Sequence, residues 1–125
     1  MINTIEQFGR NAGKIYETLS QHGALTPNEI QKNVQLREYE INIGIGWLAR
    51  ENKIAQHNET YCLSETNLTE KIGSSAGVIY DYLTHQKEID LSNMIQAIQI
   101  DESTFYQAIG WLAREDNIQF HSKKP

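Results

Sequence analysis

The sequence predicts a mainly α fold with a short β hairpin, built twice over, and three observations lead there. Ile45-Gly46-Trp47-Leu48-Ala49-Arg50-Glu51 returns letter for letter as Ile109-Gly110-Trp111-Leu112-Ala113-Arg114-Glu115. At that offset of 64 (109 minus 45), residues 6–57 laid on 70–121 give 18 identities in 52 positions without a gap. In each copy, apolar residues recur at helical spacing in three successive stretches, and a strand-like pattern follows only the third. A match this long means one folding unit duplicated, so the working surfaces are expected in related pairs.

Asn11 stands before Ala12, Ile15, Tyr16 and Leu19, apolar residues at steps of 0, 3, 4 and 7, which predicts a first helix capped by that asparagine. Ser75 stands the same way before Ala76, Ile79, Tyr80 and Leu83. Thr26-Pro27-Asn28-Glu29 joins a capping box to a proline in the first turn and predicts a second helix ending near Asn33. Its counterpart is expected to begin at Asp90. Ile30, Val34 and Leu36 correspond to Met94, Ile98 and Ile100, so equivalent positions face inward in both copies. A third helix is expected from about Glu38 to Glu51 and again from about Glu102 to Glu115.

Lys53 to His57 and Thr60 to Leu63 then read as a hairpin around Asn58-Glu59. Three short helices and a hairpin make a winged helix-turn-helix, here in tandem, with the two repeats expected to pack as a pseudo-dimer. The second copy carries only the first hairpin strand, Asn117 to His121, before Ser122-Lys123-Lys124-Pro125, so its wing is expected to be truncated and to leave an open strand edge. Residues 1–63 form the first repeat and 64–125 the second. Within the latter, 64–75 is expected to be a packed linker arm, because Glu70 and Gly73 repeat Glu6 and Gly9.

Each unit has roughly 60 residues, near the lower limit for folding alone, so each half is expected to lean on the other. Hydrophobic content of 39% and charged content of 22% fit a globular protein and exclude a fibrous or disordered one. The single cysteine, Cys62, has no disulfide partner and sits in an alternating stretch as a small packed side chain. No apolar run approaches a membrane span and the amino end lacks a signal-peptide pattern, which points to the cytoplasm. The net charge of −5 argues against an obligate nucleic-acid binder, which concentrates Lys and Arg to displace counterions from phosphates. Residues 1–63 carry six basic and seven acidic groups, and residues 64–125 carry five and nine.

Along the third helix, at 100° per residue, Ile41, Ile45, Leu48 and Asn52 fall on a core stripe with Ala49 at its margin. The opposite face of the first copy offers Tyr39, Ile43, Gly46 and Arg50, with Trp47 on its flank. This is the face a DNA major groove would meet in a winged helix. The second copy offers Ser103, Gln107, Gly110, Arg114 and Trp111, where glutamine suits adenine and arginine suits guanine or phosphate. The first face thus reads as an interface and the second as one able to read a base. Glycine inside a helix costs on the order of 1 kcal/mol relative to alanine. Its repetition at Gly46 and Gly110 points to close approach of another backbone, whether the sister unit, a second protein or DNA, and apolar neighbours favour the sister unit. Trp47 and Trp111 folding back on their own wings is the plainer alternative. Acidic Glu38, Glu40, Asp101 and Glu102 at the starts of these helices suit the helix dipole and would repel phosphates. Direct DNA contact would therefore draw on scattered cations, Arg10, Lys14, Lys32, Arg37, Arg50 and Lys53, and be weak and salt-sensitive.

Signs of chemistry are thin. Gly44-Ile45-Gly46-Trp47-Leu48-Ala49 fits a G-x-G-x-x-A string, but no strand precedes it and its repeat begins with Ala108, so no nucleotide cofactor is expected. His22, His57, His85 and His121 have no cysteine or carboxylate at ligand spacing, so no metal is expected. No Ser/His/Asp set or paired carboxylates recur in both copies, so an enzyme is not expected, nor a small-molecule substrate.

Ala12-Gly13-Lys14-Ile15-Tyr16 and Ala76-Gly77-Val78-Ile79-Tyr80, together with the repeated Gly-Trp-Leu-Ala-Arg-Glu, resemble a short bacterial and archaeal winged helix-turn-helix family of unknown function. The resemblance covers both repeats and implies the fold, with DNA-binding regulators as the functional analogy. The chain departs from the family in its duplication, in Arg37 where a capping residue is expected, and in Asn52 and Asp116 where glycine is common. The reading is a non-enzymatic tandem winged-helix module, a transcription-associated regulator with weak or modest binding to double-stranded DNA. The alternative is a protein-interaction or self-association module that does not bind DNA.

Overall fold

A computed structural model describes residues 4–85, 91–116 and 118. Three helices, α1 (Thr4–His22), α2 (Pro27–Val34) and α3 (Glu38–Arg50), lead into β1 (Ile54–His57) and β2 (Thr60–Leu63). A π-helical turn at Thr69–Gly73 runs directly into α4 (Ser74–Thr84), followed by α5 (Leu91–Ile98) and α6 (Glu102–Arg114). This is the duplicated helix order that the sequence predicts. Of the strand expected in the second copy, Asn117 to His121, all but Ile118 lies outside the described residues, as does the helix start at Asp90.

Local signals explain most boundaries. Thr26 Oγ1 accepts from Glu29 N at 3.2 Å while Glu29 Oε1 accepts from Thr26 N at 2.9 Å, a complete capping box that starts α2. Helix α2 ends with Gln35 in the left-handed region at φ 57°, and its equivalent Gln99 sits at 61°. Asn52 and Asp116 repeat that conformation after α3 and α6, at 62° and 61°. These are positions where glycine would be unstrained, and Asn and Asp tolerate them through short polar side chains. Asn52 is therefore not part of the core stripe as expected. The chain has left the helix there, and Asn52 Oδ1 accepts from Thr66 N at 2.8 Å to pin the linker.

Helix α1 begins seven residues before the predicted cap. Asn11 is a buried residue in mid-helix, where its Oδ1 accepts from Gln7 Nε2 at 3.0 Å. Ser75 likewise lies inside α4, and its hydroxyl donates to Lys71 O at 2.9 Å. The physical reason is long-range. Ile5 and Phe8, one turn apart, pack into the core of the second repeat and draw the helix backward through residues 4–10.

The strands pair antiparallel with Ile54 opposite Leu63 and His57 opposite Thr60, closing the predicted hairpin at Asn58-Glu59. Leu25 adds a bridge to Tyr61, donating at 3.0 Å and accepting at 2.8 Å, so the hairpin is sewn to the α1–α2 loop. Cys62 is half-buried on this hairpin.

Two apolar clusters result, and each borrows from the other repeat. Ile15, Leu19, Ile30, Ile41, Ile45, Leu48, Ile54 and Tyr61 form the first, completed by Leu68 and Ile72 from the linker arm. Ile79, Met94, Phe105, Ile109 and Leu112 form the second, completed by Phe8 and Ile43 from the first repeat. Phe8 and Ile72 are equivalent positions (8 plus 64), so the first turns of α1 and the π-helical turn before α4 are exchanged about a pseudo-two-fold axis. No helix among the described residues is long and apolar enough to cross a membrane.

Candidate functional site

Helix α3 packs on α6 more extensively than any other two elements among the described residues, and this pairing gathers most of the sequence-predicted site residues. Contacts advance in the same sense along both helices. Tyr39 meets Tyr106 near the amino ends, Gly46 and Gly110 meet the opposing backbones in the middle, and Arg50 and Arg114 meet Glu115 and Glu51 at the carboxyl ends. The two helices thus run parallel. Parallel helices set like dipole ends side by side, which is unfavourable unless charges compensate. Here Glu38, Glu40, Asp101 and Glu102 gather at the positive ends, and Arg50 and Arg114 at the negative ends.

The glycines set the distance of approach. A Cβ on Gly46 would collide with the Gln107 carbonyl oxygen and stand 2.6 Å from its carbonyl carbon. A Cβ on Gly110 would collide with the Ile43 carbonyl and stand 2.9 Å from Trp47 N. Only a residue without a side chain permits this contact, which supplies the physical reason for glycine in mid-helix. The indoles use two more glycines: Trp47 would lie 3.0 Å from a Cβ on Gly9 and Trp111 3.3 Å from one on Gly73. Trp47 therefore lies against α1 and Trp111 against the turn before α4, each within its own repeat, and both border the two clusters.

Charged groups seal the carboxyl ends reciprocally. Arg50 Nε donates to Glu115 Oε2 at 2.9 Å, and Arg114 Nε donates to Glu51 Oε2 at 2.8 Å. Arg50 also lies 5.7 Å from the ring centre of Trp111, and Arg114 5.8 Å from that of Trp47. Lys53 reaches Glu51 at 3.5 Å and covers the ring of Tyr16 at 5.5 Å.

The outward face expected of the second copy is turned inward. Gln107 is 3% exposed, and its Nε2 donates to Asn42 Oδ1 at 3.0 Å and to the Tyr61 hydroxyl at 3.2 Å. In this arrangement Gln107 is not presented to a base edge. The helix partner that buries it is the sister α3. Ile43 is likewise 3% exposed, whereas Tyr39 at 40% and Ser103 remain at the surface. Arg37 is exposed at the start of α3 and supplies no side-chain cap; Glu40 instead reaches back to accept from Arg37 N at 2.9 Å. Gln107 Oε1 and Asn11 Nδ2 are buried without a hydrogen-bond partner among the described residues.

Among the described residues three groups titrate away from their ordinary values. Burial pushes the Tyr61 phenol up, partly opposed by the hydrogen bond from Gln107. Burial likewise raises Tyr106, assisted by Glu102 and Tyr39 nearby. The Ser103 and Thr104 hydroxyls and the Thr104 backbone N–H bind the Asp101 carboxylate and hold it down at about 2. Among the described residues no group of three or more His, Cys, Asp or Glu is placed to hold a metal ion.

The model for the family described as Winged helix-turn-helix domain (DUF2582) matches this chain twice, over residues 3–65 and 67–125. The chain belongs to that family. No curated protein and no solved structure matches it. The double match makes the α3–α6 pairing a meeting of two family domains within one chain.

Sequence reasoning missed the Asn42–Gln107–Tyr61 contact and the exchange of Phe8 with Ile72. It also missed the crossing partners Glu51 and Glu115, for which a signal existed. An Arg-Glu pair duplicated beside a glycine contact is self-complementary about a two-fold axis, with each arginine facing the other copy's glutamate.

Proposed function

We propose that this chain is a non-enzymatic, transcription-associated assembly module, acting in the cytoplasm, in which two winged-helix domains are joined in advance into the equivalent of a dimer. One observation carries the reading: the backbone contact at Gly46 and Gly110 occupies the helix faces that a winged helix would otherwise lay in a major groove. Reading DNA with those faces would require separating α3 from α6 and exposing Ile43 and Trp47. Burying a side chain of that size is worth about 1.5–3 kcal/mol.

A second reading, weak contact with double-stranded DNA through other surfaces, is supported by the winged helix-turn-helix fold and by exposed Arg10, Lys14, Lys32 and Lys53 outside the pairing. A mobility shift on mixed-sequence duplex DNA at low and moderate salt separates the two. The assembly reading expects no shift even at low salt. A shift lost steeply with added salt, and weakened by Lys14→Gln or Lys53→Gln, supports the second reading. A sequence-selective shift abolished by Gln107→Ala would overturn the first.

A further inference from the structure

The pairing of α3 with α6 is symmetric along most of its length and asymmetric at one pair of positions. Ile43 and Gln107 are equivalent (43 plus 64), each 3% exposed, and each is buried against the other repeat. Ile43 joins the apolar cluster of the second repeat with Phe8, Phe105 and Ile109. Gln107 instead donates to Asn42 Oδ1 at 3.0 Å and to the buried Tyr61 hydroxyl at 3.2 Å. The surroundings differ to match, since the position equivalent to Asn42 is Tyr106.

We propose that Gln107 and Ile43 form a pairing lock: the first repeat's surface, with Tyr61 and Asn42, accepts the second repeat's Gln107 and rejects the same surface of another copy of this chain. Two first repeats brought together would set Ile43 against the Tyr61 hydroxyl twice, removing its hydrogen-bond partner at a buried site. Two second repeats would press Gln107 into the apolar slot that Ile43 fills beside Phe105 and Ile109, away from the Asn42 and Tyr61 oxygens that now accept from it. Both arrangements strip the Tyr61 hydroxyl or the Gln107 amide nitrogen of its partner, and only the mixed pair joins the two, with Gln107 Oε1 left unpartnered among the described residues even there. A single buried polar residue fixes the partner choice of paired helices by the same logic. The short tether, Ser64 to Leu68, raises the local concentration of one repeat around the other. The lock adds discrimination that a tether cannot, because like-with-like pairing between chains would leave further surfaces open and propagate. The inference stands on the pairing geometry and holds whether or not the module meets DNA.

The test uses the full chain carrying Tyr61→Phe with Gln107→Ile, which removes the buried hydroxyl and amide and leaves only half-buried Asn42 as a polar group of the lock. Isotopically light and heavy copies are unfolded together, refolded over a range of concentrations and weighed by native mass spectrometry. The share of mixed light–heavy assemblies is expected to rise about tenfold over wild type, the scale set by one unsatisfied buried group. A share equal to wild type in a folded double variant would overturn the lock. Should that variant fail to fold, the exchange variant Ile43→Gln with Gln107→Ile decides, because it keeps composition and trades the slots. The lock requires a lower unfolding midpoint for this exchange, and a midpoint equal to wild type would overturn it.

Discussion

Gly46 lies so close to Gln107 that no side chain fits between them, and the duplicated residues Gly110 and Ile43 repeat the contact on the other side of the axis. The obstacle on each side is backbone and not the flexible end of a side chain, so the helices cannot yield locally. Gly46→Ala and Gly110→Ala should each destabilise the fold by about 3 kcal/mol or more, at the upper end of overpacking effects. Chemical denaturation measures this. A loss below about 1 kcal/mol would mean that the helices slide apart easily.

Two other glycines give the opposite expectation. Gly13 and Gly77 lie in mid-helix at exposed positions where a Cβ would meet nothing within 4 Å. Gly13→Ala and Gly77→Ala should each stabilise by roughly 0.5–1 kcal/mol, raising the melting temperature by about 4 °C at most. Neutral or destabilising results would point to a use for these glycines beyond the folded chain.

Much of this fold was legible in the residues. The capping box at Thr26-Pro27-Asn28-Glu29, the 3.6-residue spacing and the exact repeat are local signals that survive in the structure because nothing opposes them. The glycine pair was legible for the same reason, since a helix-breaking residue repeated in place demands a close neighbour. The start of α1 was not. Asn11 carries a cap's chemistry, but Ile5 and Phe8 find apolar partners on the other repeat, and no local pattern announces a contact so distant in sequence. Gln107 was misjudged as outward-facing for a related reason. A polar residue on a helix face looks solvent-exposed until its buried partners, Asn42 and Tyr61, are known.

The reciprocal ion pairs should contribute modestly. Arg50 and Arg114 keep 45% and 46% of their side-chain surface exposed, so solvent screens them. Double-mutant cycles of Arg50 with Glu115, and of Arg114 with Glu51, should give couplings of about 0.5–1 kcal/mol that shrink in molar salt. Couplings above about 2 kcal/mol, unchanged by salt, would show that these pairs hold the interface themselves.

Asp101 makes the start of α6 acid-sensitive. Its folded carboxyl titrates near 2, below the ordinary aspartate value of about 3.9, so the stabilisation is fully present above that ordinary value. It is lost as pH falls from about 4 toward 2. Asp101→Ala should destabilise by about 1 kcal/mol at neutral pH, while Arg37→Ala at the equivalent position should change little. A full effect of Asp101→Ala persisting at pH 2 would contradict the capping role.

Tyr61 gives an alkaline counterpart. Its phenol is raised above 10 by burial, so the stability linked to it is complete below pH 10 and is lost as pH climbs through the raised value. In an ultraviolet titration Tyr61 and Tyr106 should both ionise above the ordinary phenol value, and Tyr61→Phe should remove one tyrosine from that late step. Loss of an early step instead would place the Tyr61 hydroxyl in solvent.

The joining of α3 to α6 is tested most directly by nuclear Overhauser contacts in the native chain. The account predicts cross-peaks between Gly46 Hα and the Gln107 backbone, and between Gly110 Hα and Ile43, with a single rotational correlation time for both repeats. Their absence, with the Trp47 and Trp111 indoles exchanging freely with water and the two repeats relaxing independently, would contradict it.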